Sequence, residues 1–183
     1  MDEYSILQQL FNTNCIIPLG TAYGKPILSL QEPDAPDSSV EIVQVPEDLI
    51  AVDLDANFSN DSLFQSGTGS GVCKRSDYML LSVQKRCALF IEMKRGAPNA
   101  SHIRKQLTGG LCAYEYVDQI VTQFFGEKFL ASYSRRFIAL LDTVAQKRPT
   151  IQAGLPLHDT PDSMLKIKGM KRLQFNQLAR INA

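Results

Sequence analysis

The sequence has no pair of cysteines at metal-binding spacing and only two histidines, His102 and His158. Its cysteines are scattered over the chain, at Cys15, Cys73, Cys87 and Cys112. Structural zinc sites place their ligands in close pairs such as Cys-x-x-Cys, and disulfide frameworks occur mainly in small secreted domains. We therefore expect neither zinc nor disulfides, and interpret the cysteines as free thiols, most of them buried.

The chain also lacks a long apolar segment. No run approaches the roughly 20 apolar residues that cross a bilayer, and residues 1–14 carry acids where a signal peptide would be positively charged. A chain of 183 residues has the usual size of one domain. We expect a single cytoplasmic domain, 1–183, without a membrane partner.

Basic residues are nearly absent from the first part of the chain. Residues 1–70 contain one base, Lys25, and eleven acids, whereas residues 71–183 contain eighteen bases and eight acids. We distinguish an acidic N-terminal part (1–70), a core (71–141) and a basic C-terminal extension (142–183). The asymmetry predicts a basic face that meets a polyanion and an acidic segment that shields this face or docks elsewhere. The alternative is that both sets of charges are solvated surface.

Hydrophobic periodicity predicts an α/β fold. Apolar residues at helical spacing indicate helices at 4–11 and, after Ser101 as its cap, at 102–124. Gly109 and Gly110 are costly inside that helix, which suggests close approach to a neighbouring sheet. Strands are predicted at 49–54, 78–83, 87–93, 136–141 and 164–167, an exposed Pro- and Asp-rich loop at 31–39 and a helical tail at 170–181. The expected architecture is a central mixed β-sheet flanked by helices, in the order α-β-β-β-α-β plus a C-terminal extension.

Two of these strands form a predicted hairpin that assembles a charged trio. Folding about the polar residues 84–86 places Asp77 opposite the segment from Glu92 to Lys94. Side chains alternate along a strand, so Glu92 and Lys94 share one face, and a register that pairs Asp77 with Glu92 puts all three on it. A slip of one residue would send Asp77 to the other face.

Two carboxylates and an amine at the end of an apolar hairpin are costly to desolvate unless they bind something. Mg²⁺ favours one or two protein carboxylates, several waters and phosphate oxygens. It also lowers the pKa of a bound water and stabilises charge on phosphate. The amine of Lys94 would orient or deprotonate the attacking water, or offset the charge that develops on phosphorus. The alternative is a hairpin whose charged ends face water.

The segment SDYMLLSVQKRCALFIEMKRG resembles the PD-(D/E)XK nuclease superfamily, in which an Asp begins one strand and (D/E)-x-K ends the next. Ser76 stands where that family usually has proline. The resemblance implies a restriction-endonuclease-like core and metal-dependent phosphodiester hydrolysis. It implies Asp77 and Glu92 as Mg²⁺ ligands, with Mn²⁺ as a substitute, the Met93 carbonyl as a further ligand and Lys94 as the catalytic amine.

Two further features of that family are incomplete here. Some members carry Gln-xxx-Tyr on the next helix, and here Gln106 is followed by Gly110. Many place a glutamate on the first helix as another metal ligand, for which Glu3 is the candidate. Asp53 and Asp55 compete for that role or are simply charges at a strand end.

Bases surround the motif, where a nuclease needs phosphate contacts. The candidates for nucleic-acid binding are Lys74, Arg75, Arg95, Arg104 and Lys105, and the tail adds Lys166, Lys168, Lys171 and Arg172. The small-residue segment 66–71 could present amides to phosphate, but it lacks the Lys-Ser/Thr of a P-loop and is better interpreted as a connector.

The leading hypothesis is a metal-dependent endonuclease, acting on DNA in restriction, phage defence or repair. A non-catalytic nucleic-acid- or protein-binding module on the same fold is the first alternative. A nuclease subunit that docks on a larger protein is the second. Cutting both strands of a duplex would ask for two sites and hence a homodimer. The choice between DNA and RNA stays open at this stage.

Overall fold

The computed structural model describes residues 1–33, 35–67, 69–96, 98–142 and 157–180. The chain is a mixed α/β protein with two mixed β-sheets and flanking helices. The helices are α1 (Glu3–Leu10), α2 (Leu54–Asn57), α3 (Ala100–Ile120) and α4 (Phe175–Ala179). The strands are β1 (Gly20–Ala22), β2 (Lys25–Glu32), β3 (Ala35–Val43), β4 (Ile50–Asp53), β5 (Tyr78–Ser82), β6 (Cys87–Arg95), β7 (Ser134–Asp142), β8 (Leu165–Lys168) and β9 (Arg172–Gln174). Within the described residues, no helix is long and apolar enough to cross a membrane.

A five-stranded sheet forms the centre of the molecule, in the order β4-β5-β6-β7-β8. The β4-β5 and β5-β6 pairs are antiparallel, whereas β6-β7 and β7-β8 are parallel. The predicted hairpin is confirmed: Tyr78 pairs with Ile91 and Ser82 with Cys87. This register places Asp77, the residue just before β5, beside Glu92, as the sequence predicts.

The two faces of this sheet pack in different ways. One face contacts α1 and α3 through an apolar cluster that includes Phe90, Leu107 and Tyr114. The other face contacts the second sheet and α4 through a separate cluster that includes Leu30 and Phe175. Alternation along β5 and β6 directs Asp77, Glu92 and Lys94 to the face that α3 covers.

Helix α3 crosses very close to the chain segment that enters β5. Asn99 caps the helix by accepting a hydrogen bond from the Ser101 backbone at 2.8 Å, so the predicted cap at Ser101 is wrong by two residues. A Cβ added to Gly109 would lie 1.6 Å from the Lys74 carbonyl oxygen, and one added to Gly110 would lie 2.2 Å from Ser76 Oγ. The glycine pair therefore permits the predicted close approach, and it fixes the segment that precedes Asp77.

The second sheet overturns the prediction of an exposed loop at 31–39. Strands β2 and β3 form an antiparallel hairpin through most of this stretch, and the sheet order is β1-β2-β3-β9. Leu28 and Leu30 are fully buried, so the inward alternation along β2 continues to Glu32. Pro33 lies in the turn after β2, whereas Pro36 and Asp37 lie within β3.

The C-terminal residues also differ from the prediction of a helical tail. Within 170–181, residues 172–174 form β9 and residues 175–179 form α4, while Ile181 lies outside the described residues. Strand β9 pairs in parallel with β3, and Arg172 forms an ion pair with Glu41 at 3.1 Å. The acidic N-terminal part and the basic extension therefore share a sheet and neutralise part of each other's charge. The predicted strand at 164–167 is confirmed as β8, shifted by one residue.

Candidate active site

Asp77, Glu92 and Lys94 are in direct contact at one end of the β5-β6 hairpin. The Asp77 backbone amide donates to Glu92 Oε2 at 3.3 Å, and the Met93 backbone amide donates to Asp77 Oδ2 at 2.6 Å. Lys94 Nζ lies 2.9 Å from Glu92 Oε1 in an ion pair. The structure therefore brings together the three residues that the sequence assigns to catalysis.

These groups are nearly closed to solvent. Glu92 is 0% exposed and Asp77 is 2% exposed, while the Lys94 side chain keeps 15% exposure. Among the described residues, the Lys94 ammonium is the polar partner of Glu92 Oε1, through the ion pair at 2.9 Å. One ammonium group thus faces two buried carboxyl groups.

Burial raises the pKa of both carboxyl groups, and the mutual repulsion of Asp77 and Glu92 raises that of Glu92 further. For Lys94, burial lowers the pKa, but the charges of Glu92, Asp77 and Glu32 overcome this effect and the net shift is upward. Lys94 is therefore an ammonium ion. The two carboxyl groups titrate as a pair that retains a proton well above the usual carboxyl range unless another cation joins them.

Two further acids influence this pair. Asp55 and Glu32 both raise the pKa of Asp77 through their charge. The Asp55 backbone amide donates to the Asp77 carbonyl oxygen at 3.3 Å, and its carboxylate lies 3.5 Å from Arg75 Nε. Of the acids that the sequence offers as extra ligands, Asp55 is the one whose charge reaches Asp77.

Glu32 is a buried acid that sequence reasoning missed and whose charge acts on Asp77 and Lys94. It is only 4% exposed, although the sequence places it in a surface loop. The alternation Leu28, Leu30, Glu32 was the signal available, because every second residue of a half-buried strand points inward. Pro33 and Pro36 follow Glu32, and because proline is typical of loops, the sequence did not predict the strand.

The structure does not bring Glu3 or Asp53 into the site. Glu3 forms an ion pair with Arg86 at 3.3 Å and accepts a hydrogen bond from the Tyr133 hydroxyl, at the turn end of the hairpin. Asp53 caps α2, because its Oδ1 accepts from the Ala56 amide at 3.0 Å. These contacts give both acids structural roles.

Four of the remaining predicted residues lie around a cleft beside the trio. Lys74, Arg75, Lys105 and Gln106 line a cavity of about 560 Å³ between α3 and loop residues of the ranges 61–67 and 69–75. Arg104 instead pairs with Asp162 at 2.9 Å. Arg95 is exposed at the end of β6, directly after Lys94.

No group of three or more His, Cys, Asp or Glu side chains is arranged to hold a metal ion within the described ranges. A cation at this place would rely on Asp77, Glu92, backbone oxygens such as that of Met93, water and the substrate. That coordination is the kind that Mg²⁺ accepts.

The chain was compared with protein-family models, curated proteins and solved structures, and it matches none of them.

Proposed function

We propose that the protein hydrolyses phosphodiester bonds of nucleic acid with the aid of a divalent cation, through Asp77, Glu92 and Lys94. The observation that carries the proposal is the excess of buried acid at the hairpin end. Two carboxyl groups, 2% and 0% exposed, share a single ammonium ion. A buried charge without a partner is strongly destabilising, so this arrangement is suited to a second cation.

The donor set fits magnesium or manganese. Carboxylate oxygens are hard ligands, and Asp77 and Glu92 leave room in the coordination shell for water and phosphate. When bound, the cation would supply an activated water and offset negative charge on the phosphate. The carboxylates of Asp77 and Glu92 would hold it, and Asp77 is itself oriented by the Met93 amide at 2.6 Å.

Lys94 then acts as a fixed positive charge. Its raised pKa favours the ammonium form, so it donates hydrogen bonds and does not serve as the base that deprotonates water. In hydrolysis a water oxygen bonds to phosphorus while the bond from phosphorus to the leaving oxygen breaks. Lys94 lies beside Glu92, where it would stabilise the charge that increases on the phosphate oxygens.

The fold supports a PD-(D/E)XK-like nuclease in its element order. Leaving aside α2, the first helix and the central sheet give α1, β4, β5, β6, α3 and β7, which is the order α-β-β-β-α-β expected for that family. Strands β1 to β3 are inserted between α1 and β4, and the charge of Glu32 on β2 raises the pKa of Asp77. We propose DNA as the substrate.

The test is cleavage of plasmid DNA by the purified protein with Mg²⁺ or Mn²⁺, and its arrest by chelator. Lys94→Ala should lower the rate by at least about 100-fold, since a preorganised charge in a dry site contributes on this scale. Lys128→Ala, which removes an exposed lysine, is the matched control and should cut normally. Unchanged cleavage by folded Lys94→Ala protein would refute the assigned roles.

The burial of the trio favours one competing function, a non-catalytic binding module. In that case the charges would be internal to the fold, and substrate phosphate would not reach them. Such a module would bind nucleic acid with strong salt dependence, and its binding would be indifferent to metal and to Glu92→Gln. A cleaving wild-type protein with an inactive Glu92→Gln variant excludes it.

A further inference from the structure

The cleft beside the trio has a polar lining that the proposed catalytic chemistry does not use. It lies between α3 and loop residues of the ranges 61–67 and 69–75, and its volume of about 560 Å³ is within the range of small-ligand sites, about 300 to 1,000 Å³. Lys74 lines it from the loop side, and His102, Lys105 and Gln106 line it from α3. The cleft is therefore large enough for a nucleotide but small for a base pair with both of its backbones.

Gln106 is the feature that points to a ligand. The residue is 9% exposed, and its Oε1 has no hydrogen-bond partner within the described residues. Leaving a buried amide oxygen unpaired costs roughly 1–3 kcal/mol. The side chain lines the cleft, so a ligand that brings an N–H group there would satisfy this oxygen.

The neighbouring side chains match a nucleotide in kind. His102 lies one helical turn before Gln106 and is exposed, so its ring can stack against a base. The exposed Lys74 can meet a phosphate. Lys105 is held by Gly69, whose carbonyl oxygen accepts from its Nζ, and its stem lies against Gly71.

The cleft and the trio adjoin each other. Asp55 lines the cleft, and its backbone amide donates to the Asp77 carbonyl oxygen at 3.3 Å. On the other wall, the positive charge of Lys94 reaches His102. A strand that places one nucleotide in the cleft would therefore have its adjoining phosphates near Asp77 and Lys94.

We propose that this cleft binds one unpaired nucleotide of the substrate strand, with the base against Gln106 and His102 and a phosphate near Lys74. The proposal rests on the proposed function, because it places the nucleotide next to the reacting phosphodiester. It assigns the enzyme to substrates with single-stranded character: single strands, gaps or frayed ends. Gln106 and His102 are then residues that determine specificity.

Binding can be measured apart from cleavage by fluorescence anisotropy of a labelled 12-nucleotide single strand in the presence of chelator. Comparing DNA and RNA versions of the strand shows whether the cleft prefers a deoxyribonucleotide or a ribonucleotide. Gln106→Ala should weaken binding about tenfold, in line with loss of a hydrogen bond and its buried contact area. Gln119→Ala is the matched control, because Gln119 is an exposed glutamine on the same helix.

Lys74→Ala should also weaken binding, and it changes an exposed residue whose loss leaves the fold intact. An unlabelled blunt duplex of the same sequence should compete at least about tenfold less well than the single strand. Equal affinities for Gln106→Ala and Gln119→Ala, equal competition by the duplex, or no binding of either single strand would overturn the proposal.

The outcomes separate this proposal from the proposed function. If cleavage depends on Lys94 but proceeds equally on blunt duplex, and Gln106→Ala is fully active, the nucleotide-binding role of the cleft is refuted and the proposed nuclease function stands. If single-strand binding depends on Gln106 but no substrate is cleaved in a metal-dependent way, the nuclease function is refuted and nucleotide binding in the cleft stands.

Discussion

The two ends of the β5-β6 hairpin both carry charged side chains, but they balance charge differently. At the turn end, Arg86 pairs with Glu3 at 3.3 Å and lies over the Tyr133 ring at 5.4 Å. Both partners keep contact with water, with side-chain exposures of 48% and 31%. One base meets one acid, and the surrounding solvent limits the cost of any mismatch.

At the other end, acids outnumber bases and water is excluded. Asp77 and Glu92 face Lys94, and the charges of Glu32 and Asp55 add to the negative potential at Asp77. Fold stability alone does not account for this arrangement, because paired apolar residues would cost less to bury. Charge at a strand end that is buried and unbalanced therefore calls for a role beyond fold stability, whereas paired charge open to water does not.

The largest change in the free energy of unfolding is expected from Gly109→Ala, at the site end. The added methyl would lie 1.6 Å from the Lys74 carbonyl oxygen, so α3 or the segment entering β5 must shift. We expect a loss of about 3 kcal/mol in the free energy of unfolding, measured with urea. Thr108→Ala, at an exposed neighbouring position, should change stability by less than about 0.5 kcal/mol. If Gly109→Ala unfolds like wild type, α3 does not pack tightly at the site end.

A smaller effect is expected from pH. Burial raises the pKa of Asp77 and Glu92, so the folded state holds protons that the unfolded state releases. Stability should therefore be greatest near the ordinary carboxyl pKa of about 4 and fall toward neutral pH, by at most about 1.4 kcal/mol per pH unit for each proton. Urea unfolding in chelator between those limits measures the slope.

Glu92→Gln should flatten this slope, because it removes one of the two buried carboxyl groups whose pKa is raised. Adding Mn²⁺ should stabilise wild type more at neutral pH than in acid, since the cation replaces the retained proton. A stability that increases with pH in chelator would contradict the raised pKa values at the site end.

The smallest effect is expected at the turn end. Glu3→Gln removes an ion pair that is partly exposed, and pairs of this kind contribute up to about 1 kcal/mol. Urea unfolding should show a loss within that range, and cleavage should be unchanged. Glu127→Gln, at an exposed acid, is the control. If Glu3→Gln lost cleavage, Glu3 would have to be assigned to catalysis, and the turn end would no longer differ from the site end in function.

The hairpin could be predicted from the sequence because its information is local. Two apolar runs around a polar turn define the pairing, and the pairing places Asp77 beside Glu92. The glycines of α3 gave a similarly direct prediction, because a residue that is costly in a helix must have a packing reason. These features are specified by neighbours in sequence.

The second sheet could not be predicted in the same way. Residues 31–39 contain prolines and acids that are typical of loops, although most of this stretch pairs in the β2-β3 hairpin. The pairing of β9 with β3 joins residues that are far apart in the chain, so no local sequence pattern predicts it. Because the sequence did not predict this sheet, it did not predict the burial of Glu32, whose charge raises the pKa of Asp77.

The β3-β9 pairing also has a consequence for the order in which the molecule is assembled. Synthesis proceeds from the N-terminus, so the β2-β3 hairpin exists long before residues 172–174 leave the ribosome. Until then β3 is an open edge with unpaired backbone groups, which is a template for association with other chains. Asp37 and Glu41 on β3 would oppose such association through like-charge repulsion until Arg172 pairs with Glu41.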